Sequence, residues 1–170
     1  MTIQIKNICI ASAIFMLSAI PAYAIRVEFS LGDDFSDESV QLGIQATKEQ
    51  CDAAPEKAIW SVADTSTAEC IKFWSSGLTP NTGRAIVFLH GDKLAGDRVI
   101  GGHKSFTGVK LSNEAKNWST RLRAPFIYIG RPGTHGSSGD HRRRRLLEEG
   151  QLISSTLDGL SKSMGFLNLS

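Results

Sequence analysis

The stretch "APFIYIGRPGTHGSSGDH", residues 124–141, decides the fold. Its first part, residues 124–130, is a continuous apolar and aromatic run, which is typical of a strand buried on both faces of a parallel sheet. The run then opens into a loop dense in glycine and serine, where Pro132 and Gly133 predict a tight turn. A buried strand followed by such a loop predicts an α/β architecture, in which ligands collect at the carboxyl ends of the strands.

Strands and helices alternate on either side of this stretch. Residues 85–90, "AIVFLH", predict another strand buried on both faces, and residues 112–122 predict a helix capped by Ser112. A long helix is expected over 142–166, and "FLNLS" predicts the start of a further buried strand. The apolar face of the first helix is expected to comprise Ala115, Trp118 and Leu122. Residues 84–170 therefore predict a mostly parallel sheet with flanking helices, incomplete at its C-terminal side.

The region before this core, residues 25–83, is less regular. Residues 25–30 and 70–77 alternate between apolar and polar side chains, which predicts two short strands, and the segment between them predicts a weak helix or a loop. Cys51 and Cys70 are the two cysteines beyond the first 24 residues. They predict one disulfide if the chain is exported, and two unpaired buried thiols otherwise.

The first 24 residues predict a secretory signal peptide. A short polar start with Lys6 precedes the apolar run "ICIASAIFMLSAI", and Ala22 and Ala24 provide a cleavage site after Ala24. The apolar run is shorter than a bilayer-spanning helix requires, so a stable membrane anchor is not expected after cleavage. The expected location is periplasmic or secreted. With 19 basic and 17 acidic residues, the chain offers no electrostatic reason to expect nucleic acid as a partner.

Two loops at strand ends are the candidate functional segments. His90, Gly91 and Asp92 follow the strand at 85–90, and Gly91 permits a sharp turn that would leave the next backbone amide pointing into a cleft. The second loop follows residues 124–130. Its candidate residues are Arg131, Pro132, Gly133, Gly136, Ser137, Ser138 and Gly139. An ordinary glycine turn and a surface loop without a role are the respective alternatives.

The order of these segments over residues 70–170 resembles the N-terminal half of the α/β-hydrolases, in particular the prolyl-oligopeptidase-like and dienelactone-hydrolase-like serine hydrolases. The resemblance implies that His90, Gly91 and Asp92 form an oxyanion loop and that residues 131–139 form one wall of the active-site cleft. It also implies ester or peptide hydrolysis through an acyl-enzyme, with a small ester or peptide as substrate and no cofactor. The fold it implies is a partial α/β-hydrolase fold.

The sequence contains no G-x-S-x-G nucleophile elbow, which the family places after the next strand. The acid and the histidine of the triad would lie further on, so no residue of this chain is assigned a catalytic role. The chain alone is therefore expected to be inactive, as a fragment of a hydrolase. The alternative is a non-catalytic binding or interaction protein on a truncated hydrolase scaffold.

Two other signals are weaker. "RRRR", residues 142–145, is expected to pair with Glu148 and Glu149 on a solvated helix face, although an arginine reaching a substrate carboxylate is possible in principle. The spacing of His135, Asp140 and His141 fits no zinc pattern, so no metal site is expected.

Overall fold

The computed structural model describes residues 26–30, 37–64, 67–80, 82–89, 107–140 and 146–163. Within these ranges the chain forms six strands and four helices. In chain order they are β1 (Val27–Glu28), α1 (Asp37–Leu42), β2 (Ile44–Gln45), α2 (Lys48–Asp52), β3 (Ala58–Val62), β4 (Ala68–Ser76), β5 (Ile86–Leu89), α3 (Gly108–Leu122), β6 (Phe126–Ile129) and α4 (Leu146–Ser163). The predicted signal peptide and residues 164–170, which include "FLNLS", lie outside the described ranges.

The main sheet has four strands in the order β3-β4-β6-β5. β3 pairs with β4 and β4 with β6 in antiparallel fashion, whereas β5 and β6 are parallel, with Leu89 in register with Ile129. A separate parallel pair joins β1 to β2. The fold is thus mixed α/β. The expected mostly parallel sheet is wrong for the described part, because only the β5–β6 pair of the main sheet is parallel.

Helices cover both faces of this sheet. The side chains of β4 and β6 alternate between the two faces, as strand geometry requires. Leu111 and Ala115 of α3 pack on Phe126 and Tyr128 on one face, with Trp74 beside them. The opposite face holds an aliphatic cluster that includes two residues of α4, and its members are Ile71, Phe73, Ile127, Ile129, Leu160 and the partly buried Ile59, Leu78 and Leu157.

β5 is a strand, as expected, but it is not buried. All four of its side chains, Ile86 to Leu89, are between 38% and 43% exposed, whereas every residue of its neighbour β6 is buried. The reason is position. β5 is the end strand of the described sheet and α3 packs over β4 and β6, so apolar composition here does not report enclosure on two sides.

Helix α3 begins earlier than the sequence indicates. Its N-cap is Thr107, whose hydroxyl accepts a hydrogen bond from the Lys110 amide at 3.3 Å, so the predicted cap at Ser112 is wrong. The added turn rotates the buried stripe onto Gly108, Leu111 and Ala115. Trp118 and Leu122 are consequently exposed, although Trp118 stacks on the ring of Phe126 at 6.4 Å.

The region before the core is more ordered than expected. It contains α1, β2, α2 and the whole of β3, which the sequence pattern did not reveal. Thr47 and Gln50 form a capping box at the start of α2. The predicted disulfide is present, because Cys51 of α2 and Cys70 of β4 are joined with their Cα atoms 5.6 Å apart. Both cysteines are fully buried in a cluster with Phe29, Ile44 and Ala58.

Helix α4 is fixed to β3 by specific contacts. The hydroxyls of Ser61 and Thr156 are 2.7 Å apart in the core, and the Val62 amide donates to the Ser155 hydroxyl at 3.0 Å. Gly159 faces Ile59, and a Cβ at position 159 would lie 2.6 Å from Ile59 Cγ2. Among the described helices, none has the length and apolar character needed to cross a bilayer.

Two glycines of α4 test this packing against each other. Gly150→Ala is expected to stabilise the protein by about 1 kcal/mol, because alanine favours helix and a Cβ there meets no atom within 4 Å. Gly159→Ala gains the same propensity but forces its methyl group into Ile59, so it should destabilise by about 1 kcal/mol or more. Urea denaturation of the two variants measures the difference. Equal effects in both would contradict the close approach of α4 to β3.

Candidate functional site

The loop after β6 continues the sheet without being a strand. Directly after Ile129, the Gly130 amide donates to the carbonyl of Lys72 in β4 at 2.8 Å. Further along, the Gly139 amide donates to the Ile44 carbonyl at 2.8 Å, and the Ile44 amide donates back to the Gly139 carbonyl at 2.9 Å. This loop, residues 130–140, therefore crosses from the main sheet to β2 and joins the two sheets.

Two serines complete the backbone pairing of β4. The Ser137 hydroxyl accepts a hydrogen bond from the Lys72 amide at 3.0 Å, and the Ser138 hydroxyl accepts one from the Cys70 amide at 2.7 Å. The Ser138 amide also donates to the Cys70 carbonyl at 2.9 Å. Both serines are fully buried. Because a buried amide without a partner costs about 1–3 kcal/mol, these hydroxyls have a structural task.

The turns inside the loop require unusual backbone conformations. Gly136 and Gly139 have φ of 76° and 112°, and His135 adopts a left-handed conformation with φ of 52°. A Cβ at position 136 would lie 2.6 Å from the Lys72 ammonium nitrogen. The His135 ring is buried and packs edge-on against Trp74 and Tyr128, with centroids 6.3 and 6.2 Å apart. Glycine at these positions thus lets the loop lie directly on β4.

Glu69 is the acidic group of this region. It accepts a hydrogen bond from the Ser138 hydroxyl, and its carboxylate lies 3.8 Å from Arg26. Burial raises the pKa of Glu69 above its ordinary value of 4.5, and the nearby Asp140 raises it further. The Ser138 hydrogen bond and Arg26 act in the opposite direction without cancelling the effect of burial.

An ion pair anchors the start of the loop to α4. Arg131 donates from Nε to one oxygen of Glu149 and from a terminal nitrogen to the other oxygen at 2.9 Å. The two side chains are only 12% and 6% exposed. Glu149 therefore binds Arg131, a partner 18 residues away, whereas the arginines at 142–145 that were expected to pair with it lie outside the described residues.

The predicted site residues divide into two groups. The proposed oxyanion loop, His90, Gly91 and Asp92, lies outside the described residues. Those of the second loop, Arg131, Pro132, Gly133, Gly136, Ser137, Ser138 and Gly139, are together at the carboxyl end of β6, and all except Arg131 are buried. Their role as a cleft wall stays a prediction. Because Leu89 and Ile129 are in register, the chain leaves β5 and β6 at the same edge of the sheet.

Sequence reasoning missed the charged residues of β4. Lys72 is only 4% exposed, and its ammonium nitrogen lies 5.3 Å from the centre of the Phe29 ring. A lysine between Ile71 and Phe73 in an apolar strand was the available signal for an unusual buried charge. Among the described residues, no group of three or more His, Cys, Asp and Glu is placed to hold a metal ion.

The Arg131–Glu149 pair can be tested against a surface pair. Arg131→Met is expected to destabilise the protein by about 3 kcal/mol or more, because it leaves the Glu149 carboxylate buried without its arginine. The double variant Arg131→Met/Glu149→Leu should recover much of that loss. Asp52→Asn breaks the exposed Lys48–Asp52 pair and should change stability by less than about 1 kcal/mol. Thermal melting of all three decides, and equal losses in Arg131→Met and Asp52→Asn would refute the buried anchor.

The raised pKa of Glu69 makes stability depend on pH in a defined direction. The folded state binds the Glu69 proton more tightly than the unfolded state, so this contribution is full below the ordinary pKa of 4.5 and is lost as the pH rises through the folded pKa. Glu69→Gln removes the titration and should be more stable than the wild type at pH 7, but not at pH 4. Urea titrations across this range measure the difference, with Glu56→Gln as an exposed control. A constant difference between Glu69→Gln and wild type would contradict the expectation.

Comparison with protein-family models, with curated proteins and with solved structures finds no match to this chain. What the protein does is therefore inferred from its own residues and their arrangement.

Proposed function

We propose that this chain forms the N-terminal part of an exported serine hydrolase of the α/β-hydrolase kind, which hydrolyses an ester or a peptide through an acyl-enzyme. The chain would supply part of the sheet, the oxyanion loop at 90–92 and the cleft wall at 131–139. The nucleophile, the acid and the catalytic histidine would come from residues that this sequence does not contain. The substrate would be a small ester or peptide, and no cofactor would be needed.

The observation that carries this proposal is the arrangement of β5, α3, β6 and α4. The two strands are parallel and adjacent, and α3 and α4 pack on opposite faces of the sheet. β4 lies beside them in the antiparallel direction, with β3 at the end. An α/β-hydrolase sheet likewise combines parallel strands, helices on both faces and an antiparallel strand near its beginning, so the topology supports the resemblance that the loops suggested.

The outer edge of β5 supports the same proposal. Its four apolar side chains are each more than a third exposed, and long apolar edges invite unwanted strand pairing. A further parallel strand beside β5 would cover this edge. In an α/β-hydrolase that strand leads to the nucleophile, whose position at the carboxyl end would adjoin the loops that leave β5 and β6.

Within the proposed reaction, the residues after β5 would stabilise charge. The amide of Asp92 would donate to the oxyanion of the tetrahedral intermediate, and Gly91 would permit the turn that exposes that amide. Ser137 and Ser138 would not react, because their hydroxyls already accept hydrogen bonds from β4 amides. Their contribution would be to hold the cleft wall at a fixed position on the sheet.

A non-catalytic binding protein on the same scaffold is the second candidate. It is favoured by the full burial of Ser137 and Ser138 and by the burial of His135, which leaves these residues without access to a substrate. Under this alternative, the exposed β5 edge would be the surface that receives a partner.

The experiment that separates the candidates starts from the encoding DNA beyond codon 170. The hydrolase proposal expects a G-x-S-x-G there, and it expects a fluorophosphonate probe to label the extended protein but not the 170-residue chain. Asp92→Pro removes the amide proton and should lower kcat of the extended protein by roughly 10²–10³, while Asp92→Ala keeps the amide and should remain active. Circular dichroism checks that both variants fold. Labelling of the chain alone, or the absence of the motif downstream in every frame, would overturn the proposal.

A further inference from the structure

A cleft of about 480 Å³ lies between the main sheet and the start of α3. Its walls come from the residues before β3, from β4 at positions 72–75 and from the first two turns of α3. The volume falls in the range of small-molecule sites in proteins. None of the predicted oxyanion-loop or cleft-wall residues lines it, so this cleft is separate from the segments to which the proposed reaction is assigned.

The charge of the cleft is set by two lysines and one glutamate. Lys72 belongs to its wall and is 4% exposed, while Lys57 and Glu56 stand at the exposed rim, 4.0 Å from each other. Because the rim pair largely compensates itself in solvent, Lys72 gives the wall its net positive character. An ammonium group has three N–H donors, so Lys72 can contact the Phe29 ring and a bound anion together.

The rest of the lining suits a flat apolar group with polar ends. Trp74 offers a half-buried aromatic surface, and Val109 adds an aliphatic side chain from α3. The exposed Ser112 adds a hydroxyl on the same wall. A cation beside an indole and a few hydrogen-bonding groups is the lining expected of a site for a small ligand, in which polar groups fix the orientation of an apolar body.

We infer that this cleft binds a small organic anion, namely a carboxylate attached to a flat apolar group. The carboxylate lies against the Lys72 side of the cleft, and the apolar part lies between Trp74 and Val109. The charged contact is made in a partly water-excluded wall, where a hydrogen bond to an ion is stronger than at an open surface. The site does not depend on the proposed hydrolase reaction.

Isothermal titration calorimetry of the full chain with benzoate tests this site, with neutral benzamide of the same shape as the matched ligand. Saturable binding of benzoate is expected, with benzamide bound about tenfold more weakly or worse. Lys72→Met keeps the aliphatic stem against Phe29 and should weaken benzoate binding by roughly tenfold or more. Lys116→Met makes the same change on an exposed part of α3 outside the cleft and should leave binding within about twofold.

A second variant keeps the test decisive if Lys72→Met fails to fold. Val109 is 66% exposed, so Val109→Trp is tolerated by the fold but fills the cleft, and it should abolish benzoate binding. The inference is overturned by any of three results. These are no saturable heat with benzoate up to about 10 mM, equal affinity for benzamide and benzoate, or equal loss of binding in the Lys72 and Lys116 variants.

Discussion

The double pairing of β4 is the constraint on which this structure depends. β3 pairs along the first part of β4 and β6 along the last part, so the strand joins the antiparallel and the parallel portions of the sheet. Beyond the reach of β6, the amides of Cys70 and Lys72 still need partners on that side, and the hydroxyls of Ser138 and Ser137 provide them. All three buried clusters contain a residue of β4 or pack against one.

This constraint explains why a loop dense in glycine and serine is buried. Residues 130–139 replace a strand that would otherwise continue β6, and they use side-chain oxygens where a strand would use carbonyls. The same segment reaches β2 through Gly139 and α4 through Arg131. A loop held from three directions gives a rigid surface at the carboxyl edge of the parallel strands, which is a suitable position for a binding or catalytic wall.

The sequence predicted elements better than it predicted their surroundings. The apolar runs of β5 and β6 were both recognisable as strands, but composition cannot tell an end strand from a central one, so the exposure of β5 was missed. The disulfide was predictable because only Cys51 and Cys70 remain beyond the apparent leader. The partners of Ser137 and Ser138 are 65 and 68 residues away, and no local pattern reports such a pairing. β3 was missed because its alternation is short, and its strand character depends on β4.

The order of the strands has a consequence for synthesis of the chain. β6 lies between β4 and β5 in the sheet, although it follows β5 in the sequence by almost forty residues. β5 therefore leaves the ribosome well before β6, the one neighbour with which it pairs in the described sheet. An apolar segment without its partner is prone to association with other chains, so nascent molecules are vulnerable in this interval and would benefit from a chaperone that holds such segments.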